Sequence, residues 1–248
     1  MEFAPPLVRG TLVRRYKRFL ADVELDDGKI ITIHCPNTGS MTNCQDVGAD
    51  VWFSKSDNPN RKYAFTWELV AVKKRGLAGI NTLRANSLVR EALDAGRIKE
   101  LQGYASIRSE VGYGVEKSRI DFLLEQPAAN LKQPQRCYVE VKNVTLGGKA
   151  GVGYFPDAIT QRGAKHLREL MEVRKQGHRA VLIFCVQHTQ IKEVRPADHI
   201  DPMYGKALRQ AIENGVEVLA YGVKLTPYEA EVKQRMTVVC PELELEMS

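Results

Sequence analysis

The spacing of apolar residues changes once along this chain, and that change narrows the folds open to it. Over roughly the first 75 of 248 residues every apolar stretch is short and loosely alternating, as in strands buried on one face. Residues 7–13, 19–25 and 29–34 read this way, and Asp26-Asp27-Gly28 supplies a hairpin turn between the second and third. Pro36-Asn37-Thr38-Gly39-Ser40 is loop. Residues 51–54 and 63–72 are two further strands, separated by the turn-rich Ser56-Asp57-Asn58-Pro59-Asn60. Five short strands in so little chain predict a small closed barrel.

Five is also the strand number of the oligonucleotide-binding (OB) barrel. The pattern shifts at residues 76–79. Residues 83–95 follow as a helix, with Leu83, Ser87, Arg90 and Glu91 at helical spacings and Gly96 as its stop. Strands follow at 104–111, 119–124 and 137–141, the last two joined by the polar loop 125–136. A glycine-rich loop (147–153) leads to a helix over 157–176. The buried strand 180–186, a helix over 202–214 and a strand over 216–221 complete the pattern. Two helix-then-apolar-strand steps predict an α+β or α/β core with a mixed sheet flanked by helices. The expected division is residues 1–80 as an OB-like, nucleic-acid-binding barrel and 81–248 as the second domain.

Composition excludes several classes. At 44% hydrophobic and 27% charged, the chain is neither disordered nor collagen-like nor a coiled coil. Its longest apolar run, residues 180–186, is too short to span a bilayer. Glu2, Pro5 and Pro6 open a segment unlike an export signal. The five scattered cysteines form no CxxC pair, so neither a disulfide framework nor a cysteine zinc site is indicated. A reduced cytoplasm with no membrane partner is the expected setting. Net charge is +6, unevenly placed. Arg9, Arg14, Arg15, Lys17 and Arg18 share one stretch with no acid, and Tyr16 and Phe19 lie among them. Cations beside stacking rings suit nucleic acid, although a solvated strand edge explains the same run. The last seven residues hold three acids, so the rest of the chain carries 36 cations against 27 acids.

The chemistry sits in Ser118-Arg119-Ile120-Asp121-Phe122-Leu123-Leu124 and Tyr138-Val139-Glu140-Val141-Lys142-Asn143. Both segments set charge inside an apolar strand. Glu140 and Lys142, two apart, share a strand face, while Val139 and Val141 point into the core. Asp121, on the preceding strand, brings a second carboxylate to the same sheet edge. Two carboxylates are hard oxygen ligands for Mg2+ or Mn2+, which lowers the pKa of bound water and neutralises phosphate. The adjacent Lys142 can orient that water and stabilise developing charge. A surface Glu–Lys pair with Asp121 in a turn is the simpler alternative. No organic cofactor is indicated.

These segments resemble the PD-(D/E)XK nuclease superfamily, whose helix, three strands, helix, strand order the chain shares. The resemblance implies Asp121 and Glu140 as metal ligands and Lys142 as the catalytic lysine, with Glu91 from the preceding helix joining as a further metal-binding, catalytic acid. Ile120 stands where that motif has proline. More narrowly, four segments resemble the sugar fermentation stimulation protein A family: HCPNTGSM from His34, SRIDF from Ser118, YVEVKNVTL from Tyr138 and YFPDA from Tyr154. That resemblance implies an N-terminal OB-like barrel joined to a nuclease-like domain. It also implies DNA binding without evident sequence specificity and a regulatory link to sugar (maltose) metabolism in bacteria, but supplies no defined reaction.

Other residues read as follows. Asp157 is a helix N-cap. Arg162 and Lys165 sit on the helix beside the acid-bearing strand; Arg162 shares a face with His166 and can meet a phosphate, or the face is simply exposed. His34 and Cys35 pack rather than bind metal, and His188 ends a buried strand. The segment 147–153 is no P-loop, because Ala150 follows Lys149; it is a loop near Lys142 able to close over substrate. Trp52 and Trp67 are barrel core or partly exposed faces rather than base-stacking platforms. Three functions follow: a DNA-binding protein with a metal-dependent phosphodiester-hydrolysing site, a non-enzymatic DNA-binding regulator on a nuclease-like platform, or an RNA- or small-molecule-binding protein. No helix-turn-helix is visible, so binding should depend on salt more than on base sequence.

Overall fold

A computed structural model describes residues 1–73, 76–126 and 135–242. Most of the 125–136 loop and all but Glu242 of the acidic tail therefore lie outside the described residues. Strands β1 (Val8–Tyr16), β2 (Leu20–Glu24), β3 (Ile30–His34), β4 (Asp50–Lys55) and β5 (Phe65–Val72) form the barrel. Antiparallel ladders run β3-β2-β1-β4-β5, and His34 pairs with Thr66 to close β3 onto β5. Alternating side chains fill the interior with Leu12, Val23, Ile33, Val51, Phe53 and Trp67. Gly10 is needed because a Cβ there would sit 2.5 Å from Val23 Cγ1. Trp67 is barrel core, whereas half-buried Trp52 packs toward the second domain. Cys35 is buried and packs on Met41.

One expectation changes at the junction. Residues 76–79 form a sixth strand, β6 (Gly76–Gly79), rather than a boundary loop. Its glycines resemble turn punctuation in sequence but serve close packing. A Cβ on Gly79 would lie 2.6 Å from Gln187 Oε1. β6 pairs with β5 and also bridges Ala78 to His188, so it links the barrel to the second sheet.

The second domain places α1 (Arg84–Asp94) before β7 (Ser106–Tyr113), β8 (Ser118–Gln126) and β9 (Gln135–Val144). Then come β10 (Leu146–Gly147), β11 (Val152–Phe155), α2 (Gln161–Lys175) and β12 (Arg179–Val186). β13 (Glu193–Pro196), α3 (Pro202–Glu213), β14 (Glu217–Leu225) and β15 (Ala230–Val238) complete it. The sheet order is β10-β11-β13-β15-β14-β12-β9-β8-β7, with β9, β12 and β14 parallel at its centre. A parallel strand covered on both faces needs a continuous apolar run, and β12 supplies one. The α1 face forms one core, with Leu88, Val89, Phe122, Val139 and Val141. Leu167, Leu170, Leu182, Phe184 and Tyr204 form another against α2 and α3.

The segment 147–153, expected as loop, contains parts of two short strands and a turn of 3-10 helix at Lys149–Gly151. Strand β15 escapes the alternation rule because Lys233, Gln234 and Arg235 are consecutively exposed. The second helix starts at Gln161, and its N-cap is Thr160, whose Oγ1 accepts from the Gly163 amide at 2.9 Å. Asp157, expected as that cap, lies outside the helix against Gly39 of the barrel. Residues 1–3 rest on the second domain: Phe3 N donates to Tyr228 O, and the Met1 ammonium meets Glu91.

Buried Glu68 of β5 ties the two units together. It accepts from Ser54 at 2.7 Å, Asn81 at 3.0 Å and Arg84 at 2.9 Å. Removing one partner of a buried ion pair leaves the other uncompensated. Glu68→Leu should therefore cost about 3 kcal/mol in urea unfolding, and Glu68→Leu with Arg84→Met should recover much of it.

Candidate functional site

The site originates in a break between two strands. The β8–β9 ladder runs from Gln126↔Gln135 to Phe122↔Val139 and goes no further. On the other side of β8, pairing steps from Ser109↔Phe122 to Val111↔Ile120, past Glu110 at φ 54°. This irregularity sends Ile120 and Phe122, two residues apart, into opposite cores. Asp121 stands between them, on a strand and not in a turn. Its Oδ2 accepts from the Val141 amide at 2.7 Å, and Oδ1 accepts from Asn86 Nδ2 at 2.7 Å. The carboxylate thus serves an amide at the point where the ladder has ended.

On β9, Glu140 is 2% exposed and faces α2. Lys142 Nζ donates to Glu140 Oε1 at 2.6 Å. His166, buried on α2, brings Nδ1 against the same oxygen. Arg162 Nε lies 3.4 Å from His166 Nε2, so that nitrogen is the acceptor and Nδ1 carries the proton donated to Glu140. Glu140 Oε2 is buried and makes no hydrogen bond. Burial works to raise the Glu140 carboxyl, yet the His166 hydrogen bond and the Lys142 charge hold it below the ordinary carboxylate range. Asp121 behaves oppositely. Burial, then the Glu140 charge, pushes it up to about 6 against the pull of the Val141 amide, Asn86 and Lys142. Burial and nearby carboxylates also drive the Tyr113 phenol upward. Two carboxylates facing one ammonium leave an excess of negative charge, which a cation would neutralise.

The structure brings Asp121, Glu140 and Lys142 together. Among the described residues Glu91 makes no hydrogen bond or ion pair with them, although it lines one cleft of about 470 Å3 with Asn86 and Asp121. The Glu91 carboxylate pairs with the Met1 ammonium at 2.8 Å and with Arg97 at 3.3 Å. Asn86, one turn earlier on α1, is the residue that meets Asp121. Lys165 Nζ donates to Glu116 O, away from Glu140. In the basic stretch, Arg9 pairs with Asp50 and Arg14 with Asp22, and the Tyr16 hydroxyl donates to Asp22. Arg15 donates to the carbonyls of Arg18, Asn37 and Gly39, holding a loop rather than a ligand. Lys17 and Arg18 form the exposed turn, Arg18 also donating to Thr38 O. Sequence reasoning passed over His166 and Asn86 as site residues. The i, i+4 spacing of Arg162 and His166 was the available signal for the first; nothing in sequence marked the second. Among the described residues no three of His, Cys, Asp and Glu gather as a metal-binding group.

A cleft of about 320 Å3 begins at Asn143, the residue after Lys142. Arg18, Asn37, Thr38 and Gly39 of the barrel face Tyr154, Pro156 and Asp157 of the second domain across it. Gly39 permits the approach, since a Cβ there would collide with the Asp157 carboxylate. The HCPNTGSM, YVEVKNVTL and YFPDA segments thus meet at one place.

An OB barrel joined to a helix-flanked mixed sheet, with two acids and a lysine where strands part, defines a two-domain protein of characteristic build. Two domain families match the chain in order: the SfsA N-terminal OB domain over residues 13–80 and the sugar fermentation stimulation protein RE domain over 83–229. The chain belongs to the sugar fermentation stimulation protein family. It is 57% identical over 238 residues to the sugar fermentation stimulation protein homolog of Shewanella baltica (strain OS185), covering 96% of this chain and 99% of that one. The homolog of Shewanella loihica is 60% identical over 232 residues, covering 94% and 97%. The structure of Pyrococcus furiosus SfsA in complex with Ca2+ superposes with a TM-score of 0.83 at 24% identity, covering 96% of this chain and 98% of that one. No helix among the described residues is long and apolar enough to cross a membrane.

The raised Asp121 carboxyl predicts a pH dependence. Its folded value of about 6 exceeds its ordinary 3.8, so the folded chain holds this proton more tightly. Stability from this group is present below the lower value and lost as pH rises through about 6, by roughly 2–3 kcal/mol without divalent cations. Asp121→Asn keeps an oxygen for the Val141 amide and should not show that decline. Urea midpoints of both proteins from pH 4 to pH 8 make the comparison.

Proposed function

We propose that this protein binds DNA with little dependence on base sequence and that its Asp121–Glu140–Lys142 centre hydrolyses phosphodiester bonds with Mg2+ or Mn2+. The observation that carries this reading is the convergence of the Asp121 carboxylate with a buried Glu140 whose Oε2 has no partner. The donor set fits a small divalent cation. Mg2+ commonly takes one or two carboxylates and completes its shell with water and substrate phosphate. Glu140 Oε2 is free for it, and Asp121 retains lone pairs beyond its two hydrogen bonds. The Pyrococcus furiosus protein of the same fold was solved with Ca2+, in keeping with a divalent site. When bound, such an ion lowers the pKa of a coordinated water and neutralises phosphate charge.

The chain's own residues would do the rest. Lys142, anchored on Glu140, donates to an oxygen of the scissile phosphate as charge builds there. His166 fixes the Glu140 carboxylate through Nδ1–H, leaving Oε2 in place for the metal. Exposed Arg162, next to His166, meets an adjacent phosphate. The cleft from Asn143 to Asp157 receives the strand, with Arg18 on its barrel wall.

Purified protein should nick plasmid DNA with Mg2+ or Mn2+ and stop on chelation. Asp121→Ala and Lys142→Ala should lower the rate by about 10²–10⁴ while DNA affinity changes only a few-fold. Equal rates in wild type and variants would overturn the hydrolytic reading. A second reading, a non-enzymatic DNA-binding regulator, is favoured by the double engagement of Glu140 Oε1 and by the pairing of Glu91 elsewhere. Salt-sensitive DNA binding with no cleavage under any metal is its expected result, and preference for RNA over DNA would point to the third.

A further inference from the structure

A cleft of about 1000 Å3 lies where the barrel meets the large sheet, apart from the acid–lysine centre. That is the upper end of ordinary ligand pockets, about 300–1,000 Å3. Its walls are Asn43 and Lys73 from the barrel side, the 147–152 segment, and the 188–192 segment. These take in the glycine-rich segment and the histidine that the proposed chemistry leaves unused.

The local geometry is specific. His188 is 6% exposed, and its Nδ1 accepts from the Gln190 amide at 3.2 Å. Burial lowers its pKa, so the ring is neutral and carries its proton on Nε2. That nitrogen makes no hydrogen bond within the described chain. Gly147 leaves room for the ring edge, since a Cβ there would sit 3.0 Å from Nε2. Beyond it, Ala150 at φ 56° and Gly151 at φ 83° turn the backbone, and the Lys192 stem lies against Gly151. The ammonium groups of Lys73, Lys149 and Lys192 have no ion pair, and no acid lines the cleft among the described residues. Several arginines elsewhere, Arg14, Arg179 and Arg209 among them, instead face carboxylates.

We propose that this cleft is a phosphate-binding site, with Lys73, Lys149 and Lys192 supplying the charge and His188 Nε2–H the directed donor. Phosphate can arrive in two ways: as the backbone of a strand held at the Glu140 centre, or as a free polyphosphate. The first rests on the DNA-binding reading above. Residues 143–147 connect the two places, since Asn143 lines the first cleft and Gly147 the second.

The test compares Lys149→Glu/Lys192→Glu with Lys99→Glu/Lys206→Glu, which makes the same charge change at exposed lysines outside the described clefts. Probes are a fluorescein-labelled single-stranded oligonucleotide, followed by anisotropy across salt, and tripolyphosphate, followed by calorimetry. In the first pair, oligonucleotide affinity should fall about tenfold or more. The log–log salt slope should drop by about 1.4, because two phosphates are no longer neutralised. The control pair should lose less than about threefold, as expected for a distant charge change. His188→Gln should weaken binding with no change in net charge. Tripolyphosphate bound by wild type and lost in the first pair, without oligonucleotide binding, would leave the phosphate site standing and sink the DNA-binding reading. Equal losses in both pairs, or binding of neither probe to wild type, would overturn the cleft assignment itself.

Discussion

The hydrogen bond from the Val141 amide to Asp121 Oδ2 is the contact on which the candidate site depends. In a sheet covered on both faces, a charge has few tolerable positions, and a backbone amide cannot stay unpaired. The end of the β8–β9 ladder creates one such amide, and the carboxylate satisfies it. The same divergence buries Asp121 near Glu140, and burial first, then the Glu140 charge, raises the Asp121 carboxyl. Glu140 could not stay ionised at 2% exposure without help, and Lys142 and His166 provide it. The two acids are therefore held in different electrostatic states by one backbone irregularity. Such a separation recurs at sites that do chemistry, and structural ion-pair networks produce it as well.

The basic character of the chain looks different once its partners are known. A net charge of +6 with a cationic first strand reads as an open phosphate-binding stripe. Most of that stripe is engaged internally. Arg9 and Arg14 face acids, and Arg15 holds the loop that carries Asn37 and Gly39. Exposed ion pairs are weak, so a phosphate could still compete for Arg9 or Arg14, but removing Arg15 from its carbonyls would disturb the cleft wall. Among the described residues, four cations without an ion pair, Arg18, Lys73, Lys149 and Lys192, border clefts at the junction of the two domains.

Legibility in sequence followed physical exposure to simple rules. Asp121, Glu140 and Lys142 were visible because a charge inside an apolar strand breaks a strong pattern. Strand β12 was visible because a buried parallel strand has to be apolar throughout. Strand β6 was hidden because Gly76 and Gly79 look like turn residues, and only three-dimensional packing against Gln187 and Gln190 reveals their use. Asp157 and Thr160 are both plausible N-caps by type; choosing between them needed the backbone, which leaves the helix at Thr160. His166 was readable as a neighbour of Arg162 but not as a partner of Glu140, because that contact joins residues 26 apart. Glu91 matched a helical acid expected from resemblance; it lines a cleft with Asp121, while its ion pairs with Met1 and Arg97 join residues that no sequence pattern links.

The joint between the domains explains why the shared segments converge. Glu68 binds Asn81 and Arg84 directly, and β6 continues the barrel ladder into a bridge with His188. A flexible linker would leave the barrel loop at Asn37 to Gly39 free to move relative to Asp157. A buried acid with four hydrogen bonds to three side chains instead fixes the orientation, because rotation would expose or orphan it. Gly39 then approaches Asp157 more closely than any residue with a Cβ could. The cleft that begins at Asn143 is thus built by both domains, and the barrel supplies a wall to it that the acid-bearing sheet alone does not have.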